Sequence, residues 1–207
     1  SLTYLDVAHL QVNNLYTRLL VDMLVHNSTI TSLAVGACIL SSGLKGSAHK
    51  FAEYLTKENQ TLKNLTLRAD HFVDREGLNT VVQAIAQASV LQEVVAYLRL
   101  MEPEEMSFFA QVVDSSQTVR SLNVTRTNYY ERFTTTYLDE LLLRTRRTKA
   151  MLPWISTLAK NTLLYKLVID LQRFGVEECC EFFRAVAASN TLQRVIVRNT
   201  TVFKDLR

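Results

Sequence analysis

The feature that most constrains the fold is a spacing of aliphatic residues that returns along the chain. Leu62, Leu65 and Leu67 stand at relative positions 0, 3 and 5 of one segment. The same pattern begins at residues 2, 30, 62, 91, 119, 164 and 192, and its three positions are aliphatic in every copy. Five of the six intervals between these starts span 28 to 32 residues. A sustained period of that length indicates a repeat architecture.

The residues between the copies indicate what each repeat contains. Apolar residues stand ten positions before each following start, and again seven positions before it in five of six copies. A spacing of three, with further apolar residues one place on, marks one face of an amphipathic helix. Asparagine suits the end of that helix because it tolerates the left-handed conformation. It stands three residues before the start at Asn27, Asn59 and Asn161. Each repeat is therefore predicted to be a short strand, a loop, a helix and a turn.

Composition supports a stacked array of such units. One unit cannot bury its apolar face alone, so neighbouring units are expected to share a continuous core. The chain has 207 residues with only 5 glycines and 2 prolines, whereas sandwiches and barrels of many short strands need frequent turn residues. The chain is therefore predicted to be one solenoid over residues 1–207.

A 28-residue period with a full helix in each unit resembles the leucine-rich repeat of the ribonuclease-inhibitor type. The aliphatic positions and the Asn-x-Thr lead-in at Asn59–Thr61 carry the resemblance, over roughly residues 1–124 and 148–200. The lead-in and strand sequences are also similar to the repeat regions of NOD-like receptor proteins. The Asn or Cys that usually follows the strand is absent, since Leu40, Phe72 and Met101 lie near that place. The resemblance implies an α/β leucine-rich repeat solenoid, a right-handed horseshoe of about seven repeats with parallel strands on its concave face.

Two departures from a regular array stand out. The interval between the fifth and sixth starts is 45 residues, which predicts an insertion at about residues 125–147. It contains Tyr129, Tyr130 and Phe133 and ends in basic residues. Nucleic-acid or acidic-lipid binding is one interpretation, and a solvated amphipathic helix is the favoured one. In addition, neither end of the pattern supplies the polar cap that a solenoid needs, so we expect a piece of a longer array.

Charge and cysteine content bear on the class of partner and the compartment. A net charge of +3 is too small to predict a nucleic-acid binder, and no apolar run approaches the roughly 18 residues of a membrane span.

Cys38, Cys179 and Cys180 lack metal-ligand spacing and are predicted to be reduced thiols in a cytoplasmic protein. Four of the five Asn-x-Ser/Thr sequons fall inside the repeating pattern and are interpreted as its by-product; the five are Asn27, Asn59, Asn64, Asn123 and Asn199.

Catalytic signatures are missing from the sequence. There is no GxSxG, P-loop, GxGxxG or HExxH pattern. Asp70, His71 and Asp74 could form an acid–base or metal cluster, but such residues after a strand more often cap a helix. The segment 177–181 is predicted to begin a helix, with its glutamates complementing the helix dipole and both of its cysteines pointing inward. We expect no catalytic residue, metal or cofactor, and no enzymatic activity.

The informative surface is the concave one, to which relative positions 1, 2, 4 and often 6 of each strand contribute. Six basic residues lie among them against three acids. They could simply be solvated strand residues, or form a recognition surface with Tyr and Arg anchors. Arg120, Lys166, Arg194 and Arg198 are expected to form one positive stripe with Tyr165 as its anchor and the insertion as its wall. The predicted partner-binding residues are Lys63, Arg68, Tyr97, Arg120, Tyr165, Lys166, Arg194 and Arg198.

Together these features predict a non-catalytic scaffold that binds the acidic surface of a protein partner. The resemblance implies a recognition module in an immune or regulatory protein. Two alternatives remain open. One is a GTPase-activating module of leucine-rich repeat type that uses the loop Asp70–Arg75. The other is a ubiquitin-ligase substrate adaptor of the F-box type, whose adaptor motif would lie outside this chain.

Overall fold

A computed structural model describes residues 1–10, 14–40, 46–69, 75–98, 103–126, 151–171 and 174–198. The strands are β1 (Tyr4–Asp6), β2 (Ser32–Val35), β3 (Asn64–Ala69), β4 (Glu93–Leu98), β5 (Ser121–Arg126), β6 (Lys166–Asp170) and β7 (Arg194–Arg198). The helices are α1 (Asn14–His26), α2 (Ala37–Leu40), α3 (Ser47–Glu53), α4 (Arg75–Gln87), α5 (Pro103–Ser115), α6 (Leu152–Leu158) and α7 (Val176–Ala188). A π-helical turn over Tyr54–Glu58 continues α3.

The seven strands form one parallel sheet in sequence order, from β1 to β7. Their register aligns the aliphatic residues at relative position 3, so that one row crosses the whole sheet. That row consists of Leu5, Leu33, Leu65, Val94, Leu122, Leu167 and Val195. The predicted fold class, an α/β leucine-rich repeat solenoid of about seven repeats, is confirmed: the described residues contain seven strands, of which the first six are each followed by helix.

Burial shows why the two periodicities of the sequence coexist. Along β3 and β4, half-buried residues alternate with buried ones, because successive side chains of a strand point to opposite faces. The buried set is the aliphatic one, and it packs against the apolar stripe of the helices. Val81, Phe109, Trp154 and Phe182 stand ten residues before the next strand pattern and are each fully buried. One core therefore runs the length of the sheet, and the sheet face opposite the helices is left for other contacts.

The asparagines between helix and strand have a different role from the predicted one. Asn59 has φ −66° and ψ 117°, which is extended rather than left-handed backbone. Its Oδ1 accepts hydrogen bonds from the N–H groups of Thr61 (3.2 Å) and Leu62 (2.8 Å). Asn27 and Asn161 accept equivalent bonds from the residues two and three places on. The prediction of a left-handed helix end was wrong at Asn59, where the side chain instead closes the turn that leads into the strand.

The two irregular intervals are accommodated differently. The 32-residue interval after β2 contains α2, α3 and the π-helical turn in place of a single helix. In the 45-residue interval, β5 continues to Arg126, so Thr125 belongs to the strand and not to the insertion. Residues 127–150 carry the predicted amphipathic helix and the basic residues at the end of the insertion, and they lie outside the described residues.

The cysteines of α7 do not both point inward, as the sequence had suggested. Cys179 is buried, whereas Cys180 is exposed. Adjacent residues on a helix are rotated by about 100°, and on α7 this rotation carries Cys180 off the buried stripe to which Cys179 belongs. Burial raises the pKa of the Cys179 thiol to about 11, with the nearby Glu178 carboxylate acting in the same direction. Burial also raises the pKa of the Cys38 thiol.

This difference predicts selective thiol chemistry in the native protein. Because the thiolate is the reactive form, a maleimide or iodoacetamide at pH 8 should modify Cys180 long before Cys38 or Cys179. Peptide mass spectrometry at successive times would measure the three rates, and the same labelling in denaturant should make them similar. Equal rates in the native protein would contradict the placement of Cys179.

None of the helices that the structure describes combines the length and apolar character needed to cross a bilayer.

Candidate functional site

The candidate site is the sheet face opposite the helices, which we call the concave face. Residues at relative positions 2, 4 and 6 of each strand project from it, while positions 3 and 5 point into the core. Backbone pairing along seven parallel strands fixes the spacing of these side chains at about 4.8 Å from strand to strand. Side chains on such a platform are already positioned for a ligand, which reduces the entropy lost on binding.

Four of the predicted partner-binding residues lie together at the amino-terminal ends of β5, β6 and β7. Lys166 is paired in register with Ser121 on one side and with Arg194 on the other. The backbone oxygen of Arg120 accepts hydrogen bonds from the N–H groups of Tyr165 (3.0 Å) and Lys166 (3.3 Å). Arg120, Tyr165 and Arg194 are exposed, and Lys166 is half-buried. We call Arg120, Tyr165, Lys166 and Arg194 the basic cluster.

The charges of the basic cluster are not neutralised within the described part of the chain. The ion pairs found there involve Arg18, Lys57 and Arg68, and no carboxylate lies within ion-pair distance of Arg120, Lys166 or Arg194. Nearby strand positions carry Ser121, Gln193 and apolar side chains, and the nearest acid in register is Glu93 on β4, which is paired with Ser121 and forms no ion pair with the cluster. Three positive charges on adjoining strands therefore face solvent beside an aromatic ring that is 38% exposed.

Arg198 and Lys63 do not join this cluster. Arg198 is paired with Asp170 at the opposite end of β7, four residues or about 13 Å from Arg194 along the strand. Lys63 precedes β3, two strands away from Arg120. Arg120, Lys166, Arg194 and Arg198 therefore do not form the single stripe that was expected. The first three lie at the amino-terminal ends of the strands, and Arg198 lies at the carboxyl-terminal end of β7. One of the three acids expected on this face is Asp170, and it is buried rather than solvated.

Arg68 and Tyr97 form a second group with Tyr4 and Asp6, two concave-face positions that were not among the predicted partner-binding residues. The Arg68 guanidinium lies over the Tyr97 ring, 5.9 Å from its centroid. Its Nη2 is 3.8 Å from Asp6 Oδ2, an oxygen that also accepts a hydrogen bond of 3.2 Å from the Tyr4 hydroxyl. The Ala8 N–H donates to Asp6 Oδ1 at 3.0 Å. We call Tyr4, Asp6, Arg68 and Tyr97 the Arg68 group.

Within the Arg68 group, the positive charge of Arg68 is balanced by the carboxylate of Asp6, whereas the charges of the basic cluster have no such partner among the described residues. The hydrogen bond from Ala8 holds the pKa of the Asp6 carboxyl below its usual value, and the Tyr4 hydroxyl and the Arg68 guanidinium act in the same direction. The contribution of Asp6 to stability is therefore present at neutral pH and is lost as the pH falls through its lowered pKa. Because this ion pair is a third exposed, it contributes little, of the order of 0–1 kcal/mol.

The sequence did contain a signal for the Arg68 group. Arg68 on β3 reaches Asp6 on β1 across β2, where the residues in the way are Ala34 and Gly36. Small side chains at these two positions leave room for a long arginine to lie across the strand. The positions could be read from the repeat alignment, but the direction taken by the arginine could not.

Two further polar groups on β5 lack partners on this face. Asn123 Oδ1 and Thr125 Oγ1 are buried and have no hydrogen-bond partner, as is also true of Arg68 Nε. Arg68, Tyr97 and Thr125 lie on three successive strands in one row of the register. Buried polar atoms without partners are uncommon in folded proteins, so this row and the neighbouring Asn123 have unused hydrogen-bonding capacity.

The residues that could have supported catalysis or metal binding do not come together in the described structure. No group of three or more His, Cys, Asp or Glu side chains is placed to hold a metal ion within the ranges that the structure describes. Asp70, His71 and Asp74 lie outside those ranges, and Arg75 begins α4. Glu177 and Glu178 lie in the first turn of α7, where Glu178 Oε2 accepts a hydrogen bond of 3.3 Å from the Gly175 N–H. Glu178 therefore caps the helix.

Comparisons with known proteins give a likeness in structure only. No protein-family model matches the chain, and no curated protein matches it. Among solved structures, the chain is similar to the tropomodulin C-terminal domain of Caenorhabditis elegans, with 18% sequence identity and a TM-score of 0.49. The match covers 74% of this chain and 84% of that one. The fold assignment rests on the strand order and register described above.

Proposed function

We propose that the chain is a non-catalytic scaffold that binds an acidic segment of a protein partner on its concave face. The observation that carries this proposal is the basic cluster. Lys166 and Arg194 begin β6 and β7, Arg120 directly precedes β5, and no carboxylate of the described residues pairs with these three. Uncompensated charge on a rigid face attracts a ligand of opposite sign and raises its association rate more than its final affinity.

Tyr165 gives the cluster an apolar anchor beside its charges. Tyrosine and arginine are enriched among the residues that dominate binding energy at protein interfaces, because they combine a large contact area with hydrogen bonding. An acidic segment with an aromatic or aliphatic residue next to its carboxylates would match this arrangement. The Arg68 group begins with Tyr97 on β4, next to β5, and extends to β1, so it would contact the same partner if the bound segment continued across the sheet.

The proposed context is a cytoplasmic recognition module of an immune or regulatory protein. The resemblance of the repeats to those of ribonuclease inhibitor and NOD-like receptors supports it, as do the free thiols, of which two are buried. The competing explanation of the basic cluster is that its charges only keep an open sheet face soluble. The two explanations differ in what they expect of a matched pair of charge-reversal variants.

The concave variant is Arg120→Glu with Lys166→Glu and Arg194→Glu. Its control, Lys50→Glu with Lys160→Glu and Arg184→Glu, reverses three exposed lysines and arginines of the helical layer. Both changes take the formal net charge from +3 to −3, since each reversal removes two units. Immobilised wild-type and control chains should capture the same protein partner from a lysate of the source cells, and the concave variant should not.

Two results would contradict the proposal. One is a partner that the concave variant retains as well as wild type does, at low salt and with unchanged circular dichroism. The other is a partner that is lost equally from both variants, which would indicate an effect of net charge and not of the concave face.

A further inference from the structure

Three buried polar atoms without hydrogen-bond partners lie on β3 and β5 of the concave face. They are Arg68 Nε, Asn123 Oδ1 and Thr125 Oγ1, and no other buried side-chain nitrogen or oxygen of the described residues lacks a partner. Asn123 and Thr125 are two residues apart on β5, and Thr125 is in register with Arg68 through Tyr97 on β4. Buried polar atoms are almost always paired in folded proteins, so three exceptions on one face call for an explanation.

Thr125 is the clearest of the three, because it is only 1% exposed. The other buried threonines of the described structure do form hydrogen bonds. Thr17 Oγ1 donates to the backbone oxygen of Cys38 at 2.6 Å, and Thr157 Oγ1 donates to that of Pro153 at 2.8 Å. A hydroxyl that is buried without a partner lowers stability, and natural proteins depart from the rule of pairing mainly at functional sites.

The hydrogen-bonding roles of the three atoms indicate which group would satisfy them. Arg68 Nε–H needs an acceptor, Asn123 Oδ1 needs a donor, and the Thr125 hydroxyl can serve as either. An ionised carboxylate has no hydrogen to donate to Asn123, and the charge of Arg68 is already balanced by Asp6. A carboxamide carries an N–H donor and a carbonyl acceptor on one flat group, which can also pack against the ring of Tyr97. A side-chain amide therefore matches these atoms better than a second acidic group does.

We propose that Arg68, Tyr97, Asn123 and Thr125 form an amide site, which binds an Asn or Gln side chain of the partner segment. The inference rests on the proposed function, because it adds a second contact to the segment that the basic cluster binds. Strand β5 connects the two contacts, since Arg120 directly precedes it and Thr125 lies five residues further on, or about 16 Å along the strand. An extended segment covers that distance in about five residues, which sets the spacing between its acidic residues and its amide.

Arg68 is the side chain that can open the amide site. Its side chain is 35% exposed, and it is held by an ion pair of 3.8 Å with Asp6 and by the ring of Tyr97. An exposed ion pair of this kind stabilises a side-chain position only weakly. A bound segment can therefore displace the guanidinium, and in doing so reach both Nε and the hydroxyl of Thr125 in the same row.

Thr125→Val tests the unbound state, because it replaces the hydroxyl by a methyl group of nearly the same size. Since the hydroxyl has no partner to lose, the variant of the 207-residue chain should have a urea midpoint of unfolding at or above that of wild type. Thr17→Val is the matched control. It removes a buried hydroxyl that does have a partner, so its midpoint should fall.

Synthetic peptides are the probes of the bound state. Each contains three consecutive aspartates, with glutamine or glutamate about five positions after them in one pair and about five positions before them in the other. In one of the two orders, the glutamine peptide should bind wild type at least about threefold more tightly than its glutamate twin, in NMR titrations that follow the Arg68 Nε–H. Thr125→Val should remove this preference, and Thr17→Val should preserve it.

The concave variant separates failure of the amide site from failure of the proposed function. If that variant loses the peptides while glutamine and glutamate peptides bind wild type equally in both orders, the amide site is overturned and the basic cluster stands. If that variant keeps the peptides, or wild type binds none of them, the proposed function itself is contradicted. A midpoint lowered as much by Thr125→Val as by Thr17→Val would also overturn the amide site, because the hydroxyl would then have a partner in the free chain.

Discussion

Replacing Trp154 by alanine is expected to lower the free energy of unfolding by about 3–5 kcal/mol. Trp154 is fully buried on α6, and its Nε1–H donates to the backbone oxygen of Met106 in α5 at 3.0 Å. The substitution removes both the indole volume and this bond between α5 and α6, the helices of two successive repeats. Because a repeat array is stabilised through contacts between neighbours, weakening this junction should destabilise β6 and β7 together with α6. Urea unfolding followed by circular dichroism measures the loss.

Leu152 provides the control on the same helix. It is 49% exposed, so Leu152→Ala should change the free energy of unfolding by no more than about 0.5 kcal/mol. Trp154→Phe should fall between the two, because it keeps an aromatic ring in the core and loses the hydrogen bond. A cost below about 1 kcal/mol for Trp154→Ala would contradict the placement of this residue at the centre of the junction.

Gly36→Ala is expected to destabilise the chain by about 1–3 kcal/mol. A Cβ atom at Gly36 would collide with the backbone oxygen of Ala8 and lie 2.9 Å from its carbonyl carbon. Backbone cannot be displaced as a flexible side chain can, so β1 would have to move away from β2. The same shift would separate Asp6 from Arg68, and the loss should appear both in the unfolding midpoint and in faster amide exchange of Val7, whose N–H bonds to β2.

Gly175→Ala is the matched control for this substitution. Gly175 has an extended backbone, with φ −69° and ψ 161°, and the nearest atom to an added Cβ is Glu178 Oε2 at 3.8 Å, an ordinary contact. That variant should therefore unfold within about 0.5 kcal/mol of wild type. Equal stability of the two alanine variants would show that Gly36 is not pressed against Ala8.

The fold could be predicted from the sequence because two periodicities coincide within each repeat. Aliphatic residues at positions 0, 3 and 5 fix the inward face of a strand, and a stripe ten and seven residues before the next strand fixes the inward face of a helix. With both fixed, only a stacked array buries all of the apolar residues. The predicted row through Leu65 is the row that the register shows.

The arrangement of the site could be predicted only in part. Arg120, Lys166 and Arg194 stand at adjacent positions of the repeat and lie at the same end of their strands. Arg198 does not belong to the expected stripe, because positions 2 and 6 share a face of the strand but lie about 13 Å apart along it. The contact between Arg68 and Asp6 depends on the path of a long side chain across β2, which no spacing in the sequence encodes. The resemblance to NOD-like receptors and the residues proposed to bind a partner stay predictions.

The conformation at Asn59 was mispredicted for a related reason. Asparagine is favoured at helix ends for more than one cause, since it tolerates left-handed backbone and its side chain also accepts backbone hydrogen bonds. Both explanations predict asparagine at the same place in the repeat, so the sequence does not distinguish them. The structure does, because Asn59 Oδ1 lies 2.8 Å from the backbone nitrogen of Leu62, whose N–H it accepts.

The association rate of the captured partner, measured at several salt concentrations, tests the central claim most directly. Steering by the basic cluster predicts a rate for wild type that falls steeply with salt. The variant Arg120→Glu/Lys166→Glu/Arg194→Glu should associate at least about tenfold more slowly at low salt. The control Lys50→Glu/Lys160→Glu/Arg184→Glu should stay close to wild type. Equal rates for the two variants, or a wild-type rate that does not respond to salt, would contradict binding at this face.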